Sequence, residues 1–139
     1  MEKLNPKFIK YSEHLKLSGY EVESIAYNCI LATKGESKVS FYISDSSVIY
    51  TFAIVSYLMD SKKYYSNKQE VLEIVNEINE YDLVKCRIGN DEDDSVSLRL
   101  CFLYFGDYVQ SSFSRFVNTL ETSNDLIMEE FSDKLKNYL

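Results

Sequence analysis

Tryptophan is absent from the 139 residues, proline occurs once, histidine once and glycine only four times. With a single histidine, His14, a histidine-paired zinc site is excluded, and a Ser-His or Cys-His nucleophilic pair would have to be built on that one side chain. The glycines, Gly19, Gly35, Gly89 and Gly106, stand apart from one another at expected element ends, so no glycine-rich phosphate cradle exists. Cationic charge is also short. Fifteen Lys and Arg face 22 Asp and Glu, for a formal net charge of −7, and such a field repels nucleic-acid backbones and anionic lipid surfaces.

The three cysteines, Cys29, Cys86 and Cys101, are odd in number, widely spaced and set in apolar runs, which reads as buried reduced thiols. No Asn-x-Ser/Thr acceptor occurs, and the first residues lack the charged-then-apolar series of a leader. The longest apolar stretch, from Val48 to Met59, is broken by Tyr50, Thr51, Ser56 and Tyr57 and is too short to span a membrane. A cytoplasmic protein is expected. What the chain does have is 45% hydrophobic residues, with 12 tyrosines and eight phenylalanines, enough for one core, and the expectation is a single domain over residues 1–139.

Asn5-Pro6 opens a helix expected to run to about Ser18, with Phe8, Tyr11 and Leu15 on its buried stripe and Gly19 ending it. From Tyr20 the apolar period changes to two, and Ile25, Tyr27, Cys29 and Leu31 predict one strand up to a turn at Lys34–Ser37. Val39 to Ser44 and Val48 to Leu58 predict two more strands, antiparallel across short turns. Overlapping capping boxes, Ser66 with Gln69 and Asn67 with Glu70, predict a second helix from about 67 to Tyr81. Leu83–Ile88 and Val96–Phe105 read as strands, followed by a helix capped by Asp107, a kink or break over Thr122–Asp125, and a last helical stretch. The expected fold class is α+β: helix, three antiparallel strands, helix, two strands, helix, with a sheet covered by helices.

Few features point to chemistry. The run Asp91-Glu92-Asp93-Asp94 lacks the glycine and terminal glutamate of an EF-hand and reads as a solvated hairpin tip. His14 reads as an exposed bystander, Lys62-Lys63-Tyr64-Tyr65 as a basic and aromatic loop, and Ser111 and Ser112 as helix surface. The tyrosines and phenylalanines lie at core spacing rather than as a base-stacking platform. No catalytic residue, metal ligand or cofactor is assigned. The stronger signal is an apolar surplus, because a sheet with helices on one side has one face to bury, yet several strands are apolar on both. Ile30, Phe52, Ile54, Leu103 and Phe105 are therefore the candidate interface residues, for a homodimer or another protein partner.

The element order, the acidic character, and Val75-Asn76-Glu77-Ile78-Asn79 followed by Leu83-Val84-Lys85-Cys86-Arg87-Ile88 resemble the YbjN-like family of bacterial proteins assigned to sensory-transduction regulation. The same architecture is similar to that of type III secretion chaperones, small acidic dimers that hold part of a secreted protein. In place of the family's glycine-containing turn, this chain carries Asp91–Asp94. Asn76 and Asn79 also fit a plain structural part, bonding backbone groups near a helix end. The resemblance implies a non-enzymatic protein-binding domain, an adaptor, regulator or secretion chaperone acting as a dimer. An immunity-like inhibitor of a basic enzyme is the second reading, and a small-molecule sensor or a carboxylate-and-tyrosine enzyme the third.

Overall fold

A computed structural model describes residues 4–43, 50–81, 84–90 and 95–139. The elements are α1 (Phe8–Leu17), β1 (Glu21–Ala26), β2 (Cys29–Lys34), β3 (Ser37–Ile43), β4 (Tyr50–Met59), α2 (Ser61–Ser66), α3 (Lys68–Ile78), β5 (Lys85–Asn90), β6 (Val96–Phe105) and α4 (Gln110–Leu135). The strands form one six-stranded antiparallel sheet in the order β1-β2-β3-β4-β6-β5. The α+β class and the alternation of helices with strand groups stand as expected. The run Asp91–Asp94 lies outside the described residues.

Several element boundaries differ from the periodicity, each for a physical reason. The run from Tyr20 folds back on itself, so β1 and β2 form a hairpin in which Ala26 faces Cys29 across Tyr27-Asn28. Alternation of apolar residues runs through both arms and does not reveal the turn. A buried Asn5 holds it: its amide N–H donates to the Tyr27 carbonyl at 2.9 Å, and its Nδ2 donates to Asn28 Oδ1 at 2.7 Å. The Lys62–Tyr65 segment is helix rather than loop. Asp60 Oδ1 caps α2 by accepting from the Lys63 N–H at 3.1 Å, and Tyr64 is buried. Asn67 does not cap α3 with its side chain but donates backwards to the Lys63 carbonyl at 2.9 Å, which separates α2 from α3.

Thr122–Asp125 does not break α4, which runs unbroken through it. Asn interrupts helices when its side chain competes for nearby backbone groups. Here Asn124 Oδ1 accepts from the Tyr57 hydroxyl at 2.6 Å and is withdrawn from that competition. Gly89 lies inside β5 rather than in a turn. A Cβ there would sit 2.2 Å from Arg99 Nε, because the Arg99 side chain crosses the strand at this point and donates to Ser97 Oγ at 3.1 Å.

The chain forms two compact units, Met1–Val55 with Leu103–Asn118 and Ser56–Phe102 with Thr119–Leu139. The first is organised around Phe113, fully buried, whose ring meets Tyr11 at 4.9 Å, Tyr104 at 5.6 Å and Phe41 at 6.2 Å. The Tyr11 and Tyr104 contacts are edge-to-face, a geometry that adds to the area it buries, and the Phe41 ring is tilted. The Tyr104 hydroxyl donates to the Asp107 carbonyl at 3.1 Å and accepts from the Val109 N–H at 3.3 Å, ordering the turn into α4 where Asp107 was expected to cap.

The second unit buries Val71 and Ile78 of α3, Leu98 and Leu100 of β6, and Ile127 and Leu135 of α4. Polar ties fasten its last helical turns: Asp60 N–H to the Tyr138 carbonyl at 2.7 Å, the Tyr138 hydroxyl to Glu70 Oε2 at 2.7 Å, and Lys134 Nζ to Glu77 Oε2 at 2.8 Å. Tyr81 also donates to Glu130.

Candidate functional site

The register of the first unit sorts its strand residues into two faces, since successive side chains alternate. Ile30 pairs with Phe41 and Phe41 with Ala53, all buried, and the Phe41 ring contacts Phe113 of α4. That is the helix-covered face. Tyr104 belongs to it as well, because its ring contacts both Phe113 and Tyr11 of α1.

Residues one step away point to the opposite face. Tyr42 pairs with Phe52, their rings stacked at 5.0 Å and 12°, and Ser40 pairs with Ile54. Flanking Tyr104 on β6, Leu103 and Phe105 project to this same side, where they are 51% and 65% exposed. The far end of β6 is thus open on one face. Strand alternation explains how this arises: Leu103 and Phe105 cannot reach the core that holds Tyr104.

Of the five candidate interface residues, four share this open face, Phe52, Ile54, Leu103 and Phe105. Ile54 is itself buried among its neighbours, and Phe52 is half-buried. Ile30 is fully buried on the helix-covered side and is a core residue. The alternation of β1 read through the hairpin turn had placed Ile30 out of phase. A signal for the correct placement was the Asn28 turn former, at which the phase changes.

The other singled-out residues fall elsewhere. His14 is half-buried rather than an exposed bystander: Nδ1 lies 2.8 Å from the Tyr108 hydroxyl, and the ring meets Phe113 edge-on at 5.0 Å. Burial holds its pKa below the ordinary imidazole value. His14 and Tyr108 line a surface cleft of about 390 Å³ with Lys10, Glu13 and Ser114. Cys29 and Cys86 are buried thiols and Cys101 is half-buried. Desolvation, with a smaller contribution from neighbouring Cys101, pushes Cys86 up to about 12. Among the described residues no group of three or more His, Cys, Asp or Glu is placed to hold a metal ion.

Asn79 was singled out with Asn76, and the two differ. Both are exposed, but only the Asn79 side-chain amide bonds both backbone groups of Cys86 on β5. No described helix is long and apolar enough to cross a membrane.

No known family profile matches the chain, and no curated protein is similar to it in sequence. Among solved structures it is similar to the crystal structure of YbjN, a candidate transcription regulator from E. coli, with a TM-score of 0.67, 13% sequence identity and 90% of each chain covered. At that identity the likeness is one of fold, and it extends over nearly the whole length of both chains.

Proposed function

We propose that this chain is a non-enzymatic protein-binding domain, an adaptor or regulator of the YbjN-like kind, that associates through the open sheet face around Leu103 and Phe105. One observation carries the reading. Two large apolar side chains, more than half exposed, stand on the same face as the stacked Tyr42–Phe52 pair, apolar exposure of the kind that marks interaction sites. The fold likeness to a candidate transcription regulator supports a regulatory or adaptor part. The excess of carboxylates over cations keeps such a chain apart from nucleic acid and favours protein partners. Self-association as a homodimer is the simplest use of this face, since apolar contact carries little of the repulsion between two chains of the same charge.

Light scattering on the wild type and on Leu103→Glu and Phe105→Glu tests this. The wild type is expected at twice the mass of one chain, and both variants at the single-chain mass with unchanged circular dichroism, because neither side chain belongs to a core. A wild type that stays at single-chain mass at about millimolar concentration overturns the self-association reading.

A further inference from the structure

In the second unit, β5 stands at the end of the sheet order, so one side of its backbone faces away from β6. Which groups lie on that side follows from Asn79. Its Nδ2 donates to the Cys86 carbonyl at 2.9 Å and its Oδ1 accepts from the Cys86 N–H at 2.6 Å, so the backbone of Cys86 points outward. The β5–β6 register continues without a shift from Lys85 opposite Cys101 to Asn90 opposite Val96. In an antiparallel pair residues two apart point the same way, and Ile88 and Asn90 therefore also turn their N–H and C=O outward. Among the described residues no hydrogen bond answers them. An edge of this kind is a template for another strand, and proteins usually protect it. Here protection stops at Cys86.

Two grooves run beside the same strand. One of about 370 Å³ lies on the helix side, lined by Tyr64, Tyr65, Lys68, Leu72, Arg87 and Ile88. The other, of about 640 Å³, is lined by Lys85, Arg87 and Cys101 together with Asn79 and Tyr81. Cys86 and Arg87 line both grooves, and the register turns their side chains to different faces: Cys86 and Ile88 pair with the fully buried Leu100 and Leu98, whereas Lys85 and Arg87 project to the opposite face. Neither cation has a carboxylate partner among the described residues.

We propose that the outer edge of β5, from Ile88 to Asn90, takes up by strand addition an extended segment of a partner protein in which acidic and apolar residues alternate. Backbone pairing supplies the attachment, and pockets for alternate side chains supply the choice of sequence. The added strand repeats the sheet's alternation, laying apolar side chains over Leu72 and Ile88 and a carboxylate toward Arg87. Charge complementarity selects this occupant: Lys85 and Arg87 project together to one face of the strand on a chain of net charge −7. A second copy is disfavoured at this edge, because pairing β5 with itself in antiparallel fashion brings both sets of Lys85 and Arg87 onto one face. Asn79, occupying Cys86, sets where the pairing ends. Strand addition uses the β5 backbone edge and neither Leu103 nor Phe105, so either reading can fail without the other.

The test uses the full chain, isotope-labelled for amide exchange, and an acetylated synthetic peptide of about nine residues alternating Glu and Val. Exchange at the Ile88 and Asn90 amides is expected to slow about tenfold or more at saturation. An alternating Lys-Val peptide, and an N-methylated Glu-Val peptide unable to pair along its backbone, are expected to leave both amides unchanged. Arg87→Glu, on an exposed side chain, is expected to weaken binding of the Glu-Val peptide while the amide spectrum elsewhere keeps its pattern. Unchanged exchange at Ile88 and Asn90 with the Glu-Val peptide at about 2 mM overturns the proposal. Equal binding of the Lys-Val or the N-methylated peptide overturns it too.

Discussion

Asn79 completes the backbone of Cys86 as a neighbouring strand would, donating to its carbonyl at 2.9 Å and accepting from its N–H at 2.6 Å. A single amide side chain offers one donor and one acceptor at the spacing the strand presents. Asn79→Ala removes both bonds and is expected to lower the unfolding free energy by about 1–3 kcal/mol, measured by denaturant titration. Asn79→Asp keeps the acceptor but turns a carboxylate oxygen toward the Cys86 carbonyl. It is expected to cost at least as much as alanine at neutral pH.

Phe113 is the meeting point of α1, β3 and the start of α4 in the first unit, with six aromatic or imidazole rings around it, those of Tyr11, His14, Phe41, Tyr104, Tyr108 and Phe116. Phe113→Ala is expected to destabilise by about 3–5 kcal/mol, the range for emptying a buried phenylalanine site. Phe113→Leu, which leaves most of the volume filled, is expected to cost clearly less. Thermal unfolding of the two variants side by side checks the order.

His14 loses part of its hydration against Tyr108 and Phe113, which lowers its pKa from the ordinary value of 6.5. The folded state therefore binds the proton less readily than the unfolded chain. This group's contribution is fully present above the unfolded pKa and is lost as pH falls through the folded one. The melting temperature is expected to fall more steeply below about pH 6.5 in the wild type than in His14→Gln. Equal slopes for the two proteins would refute this assignment.

The thiols are expected to separate by accessibility. Cys86, buried and pushed up to about 12, stays protonated at pH 8, and burial also raises Cys29. Cys101 is the half-buried one. A chromogenic disulfide reagent at pH 8 is expected to titrate Cys101 first, and all three only after unfolding. Cys101→Ser is expected to abolish the fast phase.

Much of this fold was legible in the chain because local chemistry and tertiary packing agree along most of it. The stripe of Phe8, Tyr11 and Leu15, the alternation of Leu98, Leu100 and Phe102, and the spacing of Val71, Val75 and Ile78 each name the buried side of an element correctly. Two of the failures share one cause. The turn at Tyr27-Asn28 depends on Asn5, and the continuity of α4 through Asn124 depends on Tyr57. Partners 23 and 67 residues away leave no trace in a local window. The open face of the first unit was legible in part, for the surplus of apolar strand residues pointed to Phe52, Ile54, Leu103 and Phe105, whereas Ile30 took the wrong phase from the unseen hairpin.

By itself the sequence determined the α+β class, the acidic surface, the lack of a histidine-paired or glycine-loop site, and most of the core, because these depend on residue type and on periods of two and 3.6. Only the tertiary structure decided which face of the sheet stays open and which strand stands at its edge. Strand order and register are set by contacts between segments far apart in the chain, and a shift of one residue exchanges the two faces.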